Sequence, residues 1–387
     1  MKSESLRDVS CPLCDGGRFA ALHRQEFLLP GDIRTHYAVV ACESCGFVFA
    51  RDLPLAEEYE SYYRTNLKYT YEGSRDAANA LFAIHEPSFR LVDQYATRES
   101  RILDIGCSTG ELLALFQRNG YARLEGVDPA PECRQIAKQL YGLDIKTAVL
   151  SEITPDGAYD VVLLANVLEH IPNLDEAIRH VSTFLSDGGL LFVQVPDAGH
   201  FGDAINEPFL EFSIEHINYF TEASLANLLR TIDVFPVDVR HDVVSYRGVA
   251  YPVITSVWRK GAATHAGTAG DPTPVRDYIV KSGARLNEVK RAIDALVDGG
   301  EPLVIWGTGS LTARLLATTN LANANITGFV DSNTALQGKQ LLGKPIAAPS
   351  SLAGRSDTVF ISSFVYGADI RNSLERDLRY GGRIITI

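Results

Sequence analysis

Residues 101–130, RILDIGCSTGELLALFQRNGYARLEGVDPA, constrain this chain more than any other stretch. The apolar run Ile102–Ile105 reads as a short buried strand, and Gly106 and Gly110 let the backbone turn tightly against a ligand before a helix over Glu111–Arg118. A second strand then ends at Asp128, followed by Pro129, where a carboxylate can accept both hydroxyls of a ribose. The pattern is that of a site for an adenosine-bearing cofactor. A nicotinamide dinucleotide would require G-x-G-x-x-G, with its diphosphate on the helix N-terminus. Here the turn reads Asp104-Ile-Gly106-Cys107-Ser-Thr-Gly110. The acid just before the first glycine opposes a diphosphate and suits a cationic ligand such as a sulfonium amino acid.

A chain of 387 residues is too long for one ordinary core, so two or three domains are expected. A net charge of −12 with scattered lysines and arginines excludes a nucleic-acid partner, which would need a basic stripe. The opening MKSESLRDVS lacks the apolar core of a signal peptide, and no apolar run reaches the length of a membrane span. A cytoplasmic protein acting on a small molecule, without a membrane partner, is therefore expected. In that setting thiols stay reduced, and four of the six cysteines stand in pairs, Cys11-Pro-Leu-Cys14 and Cys42-Glu-Ser-Cys45-Gly46. Two knuckles of this spacing place four thiolates around one structural Zn2+, with a strand over 37–41 leading into the second. A closed four-thiolate site leaves no position for substrate. Cys107 and Cys133 read as packing residues.

Further along, an acidic and tyrosine-rich stretch, 57–74, precedes a helix expected over 76–96. Its tyrosines suit either substrate contact or the packing of an aromatic helix face. A loop over 196–208 follows the fifth strand of the sheet, and Thr221 is placed to cap a helix over 223–231. Strands are expected over 234–239 and 250–257, and 260–274 has the composition of a linker. A helix over 275–297 then opens a second doubly wound pattern: strand 302–306, the turn Gly307-Thr-Gly309-Ser, a helix to 319, a strand ending at Asp331, and strands near 358–362 and 383–387. Thr312 stands where a third glycine would complete a dinucleotide fingerprint, so a nucleotide-binding lobe without redox chemistry is the expectation.

The segment around Asp104, Gly106, Gly110 and Asp128 resembles the first motif of class I S-adenosyl-L-methionine (SAM) methyltransferases. Tyr159-Asp-Val-Val-Leu-Leu-Ala-Asn166-Val-Leu-Glu169-His170 resembles their fourth strand and cofactor-covering loop, and 184–195 the glycine turn and fifth strand that follow. The order of modules resembles the three-domain nucleotide-sugar C-methyltransferases of deoxysugar biosynthesis. That resemblance implies an α/β fold with a zinc module over 1–55, a SAM-dependent core over 56–260 and a Rossmann-like substrate lobe over 275–387. It further implies that Asp104, Gly106, Cys107, Gly110, Asp128, Pro129, Asn166, Glu169 and His170 serve the cofactor, that Tyr71 and Ser74 contact a nucleotide-linked keto-sugar, and that methyl goes to the carbon beside the ketone.

Carbon is a poor nucleophile until deprotonated, so such a reaction needs a base and stabilisation of the enolate. The family's base is the histidine of Tyr-x-Glu-His-x-x-Tyr-Phe. Glu215-His216-Ile-Asn-Tyr219-Phe220 matches the second half of that motif, which makes His216 the expected base, with Glu215 and Tyr219 beside it. This chain departs from the family at Ser213, where tyrosine is usual, at Ser245-Tyr246-Arg247-Gly248, where a glycine-glycine-serine strand is usual, and in the C-terminal turn, which lacks a lysine. O- or N-methylation of another small molecule, and a non-catalytic nucleotide-binding role, are the alternatives.

Overall fold

The computed structural model describes residues 10–53, 75–154, 157–262 and 267–386. The chain begins with an antiparallel meander of β1 (Phe19–Leu29), β2 (Ile33–Cys42) and β3 (Val48–Arg51). The β1–β2 connection turns through Gly31 and Asp32, both at positive φ. The cysteine pairs sit at the ends of this meander, one before β1 and one in the β2–β3 turn.

Helix α1 (Arg75–Asp93) leads into the central α/β layer: β4 (Ile102–Ile105), α2 (Glu111–Arg118), β5 (Leu124–Asp128), α3 (Pro131–Tyr141), β6 (Lys146–Thr147), β7 (Tyr159–Ala165), α4 (Leu174–Ser182) and β8 (Leu185–Pro196). Strand β8 starts earlier than the glycine pair suggests. Tyr159 pairs with Leu185 but Val161 with Leu190, so the extra residues bulge out, with Gly188 at φ +72°. The two residues of β9 (Asn218–Tyr219) leave this layer and pair antiparallel with β3, Val48 opposite Tyr219 and Phe49 opposite Asn218. A segment from far downstream thus completes the N-terminal sheet.

After α5 (Glu222–Leu229), capped by Thr221 as expected, come β10 (Val234–Tyr246) and β11 (Val249–Lys260). They form one long hairpin whose tip is Arg247-Gly248, both at positive φ, as a two-residue turn requires. Residues 245–248 are therefore a hairpin tip rather than a continuous strand, because Gly248 at φ +80° reverses the chain. The central sheet runs β10-β11-β8-β7-β4-β5-β6, with β11 antiparallel to both neighbours. Its strand order reverses at β4, so the crevice beyond the carboxyl ends of β4 and β7 is where a ligand fits.

The C-terminal lobe consists of α6 (Thr273–Gly299), β12 (Leu303–Trp306), α7 (Ser310–Thr318), β13 (Ile326–Val330), a short hairpin of β14 (Gln340–Leu341) and β15 (Lys344–Ala347), β16 (Thr358–Ile361), α8 (Gly367–Asn372) and β17 (Ile384–Thr386). Its sheet order is β14-β15-β13-β12-β16-β17, parallel except at β14. One hydrophobic cluster runs without a break from Phe27 and Tyr37 of the meander, through Phe212 and Tyr219, to Tyr278 and Leu315 of this lobe. The expected linker is docked in its second half. Gly270 N–H donates to the Cys45 carbonyl at 2.8 Å, and Asn227 Nδ2 donates to the Thr268 carbonyl at 2.6 Å.

Candidate functional site

At the end of β4 the backbone turns back on β5. Gly106 N–H donates to the Val127 carbonyl at 2.8 Å, Ser108 N–H to Asp128 Oδ2 at 2.9 Å and Ala130 N–H to Asp128 Oδ1 at 2.9 Å. Gly106 has φ +72°, and a Cβ there would stand 2.7 Å from Val167 Cγ2, so only glycine fits. Three carboxyls converge on this turn. Asp104 is buried and its Oδ1 has no hydrogen-bond partner among the described residues. Burial, followed by the charges of Asp128 and Glu111, holds it well above the usual carboxylate range. Burial also raises Asp128 and Glu111, the latter despite a hydrogen bond from Thr109. Buried carboxyls without a cation are stabilised by one, so the site fits a positively charged ligand.

A second cluster lies on segment 209–219. Ser213 Oγ accepts the N–H groups of Glu215 at 3.2 Å and His216 at 3.1 Å, closing a tight turn rather than an extended strand. Tyr37 OH donates to the Ser213 carbonyl at 2.8 Å and Tyr219 OH to the His216 carbonyl at 2.9 Å. Opposite stands the loop after β7. His170 Nδ1 donates to the Glu215 carbonyl at 3.0 Å, and the His170 and His216 rings meet edge to face at 5.0 Å. Ile217 N–H donates to the Glu169 carbonyl at 2.8 Å, and Asn218 Nδ2 donates to the carbonyls of Leu168 and Ile171. Glu169 itself is buried, 3.8 Å from His170 Nε2 and with neither carboxyl oxygen hydrogen-bonded among the described residues, and burial, with the charge of Glu211, pushes it up to about 8. Glu211, buried beside Glu207, is raised to about 7.

The four paired cysteines form a third cluster. Cys11 Sγ lies 3.6 Å from Cys45 Sγ, and Cys14 Sγ 3.6 Å from Cys42 Sγ, with all four sulfurs within 4.8 Å of one another. Four sulfurs bound tetrahedrally at 2.3 Å from one zinc ion are about 3.8 Å apart, so the spacing fits that ion. The hydrogen bond from Cys11 pulls the Cys45 thiol down to about 5, while Cys11 itself is pushed up.

Residues 76–234 match the family described as Methyltransferase domain. The C-methyltransferase NovU of Streptomyces niveus is 26% identical over 302 residues, covering 73% of this chain and 71% of that protein. Residues 76–234 are a class I SAM-dependent methyltransferase domain. The ubiquinone biosynthesis O-methyltransferase of Methylocella silvestris is 33% identical over 109 residues, spanning 26% of this methyltransferase and 42% of that protein. Residues 301–385 match a family described as C2185-like, N-terminal. Among solved structures, the 1,6-didemethyltoxoflavin-N1-methyltransferase of Burkholderia thailandensis aligns with a TM-score of 0.42 at 22% identity, over 56% of this chain and 96% of that one.

Within the methyltransferase domain, Asp104, Gly106, Gly110, Asp128 and Pro129 gather at the β4–β5 turn. Asn166, at φ +56°, closes β7 and donates from Nδ2 to Gln194 Oε1 at 3.3 Å. The Cys107 side chain faces away, toward Gly126 in the core, and only its backbone belongs to the turn. Glu169 and His170, which the resemblance assigns to the cofactor, lie beside Glu215 and His216, with His170 Nδ1 on the Glu215 carbonyl. Tyr71 and Ser74 lie outside the described residues. Glu111, Glu207, Glu211 and Arg314 escaped the sequence reading, because a buried acid or arginine has no local signature when its partners are distant in the chain. In the C-terminal lobe the β4 turn is repeated: Gly307 N–H donates to the Val330 carbonyl at 2.8 Å and Thr308 N–H to Asp331 Oδ2 at 2.8 Å. Thr312 fills the third-glycine position and donates to the Gly307 carbonyl at 2.5 Å.

Among the described residues no helix is long and apolar enough to cross a membrane.

Proposed function

We propose that this enzyme transfers the methyl group of SAM to a carbon beside a ketone in a nucleotide-linked deoxysugar, with His216 as the base. The observation that carries the reading is the placement of His216. Its turn is pinned by Ser213, Tyr37 and β9, and its ring stands 5.0 Å from that of His170 in the loop that follows β7. SAM supplies an electrophilic methyl on a sulfonium. Asp104, Gly106, Gly110 and Asp128 hold it, with Asp128 on the ribose and the buried Asp104 answering its positive charge. His216 would take the proton alpha to the ketone, the electron pair passes into the enolate, and the carbon attacks the methyl in line as the sulfur–methyl bond breaks, its pair returning to sulfur and leaving a neutral thioether. Tyr219, its hydroxyl on the His216 carbonyl, positions the base. Zn2+ in the four-cysteine cluster holds the meander that pairs with β9 and takes no part in the chemistry. The likeness to a C-methyltransferase supports carbon as the acceptor atom. At the hairpin tip Arg247 lies over the Tyr366 ring and pairs with Asp369, which joins the methyltransferase sheet to the C-terminal lobe proposed to take the nucleotide.

His216→Ala is expected to abolish turnover while leaving SAM binding intact, and to stop exchange of the substrate's alpha proton with heavy water in the absence of SAM. A fully active variant sinks the assignment. The second reading, O-methylation, draws on Ser213 in place of tyrosine and on the similarity to an O-methyltransferase. Carbon NMR of the product decides, because a methyl on oxygen resonates far from one on carbon.

A further inference from the structure

We propose that Asp197, His200 and His241 form a second divalent-cation site, separate from the four-cysteine cluster and suited to Zn2+. Asp197 follows the last residue of β8, His200 lies three residues on, and His241 comes from the middle of β10. Asp197 Oδ2 is 2.7 Å from His200 Nδ1 and 2.6 Å from His241 Nδ1, and the two rings stand 5.2 Å apart. Two histidines thus converge on one oxygen of a carboxylate that is 1% exposed.

The supports around these groups are those that hold a metal's ligands in place. Asp197 Oδ1 accepts Gly199 N–H at 2.9 Å, which fixes the carboxylate plane and leaves Oδ2 for the site. His241 Nε2 is 2.9 Å from Glu222 Oε2, at the start of α5. A carboxylate on the far nitrogen sets the tautomer in which Nε2 carries the proton and Nδ1 presents its lone pair, an outer-shell arrangement common to metal-bound histidines. In that tautomer Nδ1 and Oδ2 are two acceptors face to face, and either a metal ion or a further proton must answer them. The donor set of two imidazoles and one carboxylate favours zinc, cobalt or nickel over magnesium or calcium. Both histidine side chains are about half exposed, 46% and 40%, so a bound ion keeps water in its remaining positions. Ligands 2.0–2.1 Å from one ion stand about 3 Å apart, a separation that small rotations of two half-exposed rings provide. The ion would tie the end of β8 to β10 and, through Glu222, to the helix that follows β9.

The competing arrangement is a metal-free network in which a proton on His241 bridges Asp197 and Glu222. The full chain, free of any histidine tag, is dialysed against Zn2+ and its metal content measured beside that of a His200→Gln/His241→Gln double variant and of Cys42→Ser. The wild-type chain is expected to carry one equivalent more than the double variant, and Cys42→Ser to retain that equivalent. Cobalt substitution separates the sites without reference to activity: thiolate ligation gives intense charge-transfer absorption, whereas the histidine site adds only weak visible bands, which the double variant lacks. Should glutamine at both positions unfold the chain, Asp197→Asn is expected to lower affinity for the extra equivalent at least about a hundredfold. Equal zinc contents in wild type and folded variants, or loss of the extra equivalent in Cys42→Ser, overturns the proposal.

Discussion

Among the described residues the buried Glu169 carboxyl has no hydrogen-bond partner, and this has a thermodynamic signature. Its ordinary value of 4.5 is raised to about 8 by burial and by Glu211. Between those values the folded chain keeps a proton that the unfolded chain has released, so stability is fully present below about pH 4.5 and falls as pH rises through about 8. One such group contributes a slope of about 1.4 kcal/mol per pH unit, and Glu211, raised to about 7, acts in the same direction. Glu169→Gln is expected to flatten the decline in urea midpoint between pH 5 and 8.5; an unchanged slope would mean that Glu169 is ionised in the fold. Gly46 makes a steric case at the same scale. It has φ +75°, and a Cβ would stand 1.9 Å from the Gly270 carbonyl oxygen, so Gly46→Ala must displace the docked linker. A loss of about 2 kcal/mol or more is expected in unfolding measurements.

At the scale of elements, the sheet shared by β3 and β9 matters most, because it ties the cysteine knuckles to the turn that carries His216. The β2–β3 turn carries Cys42 and Cys45, β3 pairs with Asn218 and Tyr219, and Tyr219 holds the His216 carbonyl. On the proposed reading, in which Zn2+ fills the four-cysteine cluster and His216 is the base, chelation of that ion, or Cys42→Ser, is therefore expected to lower the rate of methyl transfer about tenfold or more while SAM affinity is kept, since a base misplaced by an ångström loses most of its effect. Equal losses in rate and SAM affinity would instead mean that the whole fold had failed. The central strands and glycine turns were legible in the sequence, because buried parallel strands read as apolar runs and the turns demand glycine. Strand β9 was not legible: two residues have no periodicity, and their partner lies about 170 positions upstream. A separation of 44 residues likewise hides the Asp197–His241 pair, and one of 45 the contact between His170 and the Glu215 carbonyl. Local pattern assigned these residues to a loop without showing which neighbour the loop faces.

The whole molecule converges on Arg314, a fully buried guanidinium on α7 of the C-terminal lobe. Its Nε donates to Gln25 Oε1 on β1 at 3.0 Å, Nη1 to the Pro208 carbonyl at 3.0 Å, and Nη2 to the carbonyls of Phe209 at 2.9 Å and Phe212 at 2.8 Å. Glu207 lies 3.7 Å from Nη1, near enough to answer the charge. One side chain thus joins the C-terminal lobe and the N-terminal meander to the loop that ends in Ser213 and His216. Arg314→Met keeps much of the buried volume but takes the donors from three backbone carbonyls and the Gln25 amide oxygen, and is expected to cost about 3–5 kcal/mol. Arg314→Lys should recover little, because a single ammonium cannot reach the donor positions of a planar fork. If the arginine positions the turn that carries His216, the proposed base, the two variants, assayed where they remain folded, raise the KM of the methyl acceptor and lower kcat while SAM affinity stays near that of wild type. Calorimetry with SAM alone supplies that comparison: parallel loss of SAM binding in folded protein would place Arg314 in the general scaffold, whereas its retention marks the guanidinium as the tie between the C-terminal lobe and the His216 turn.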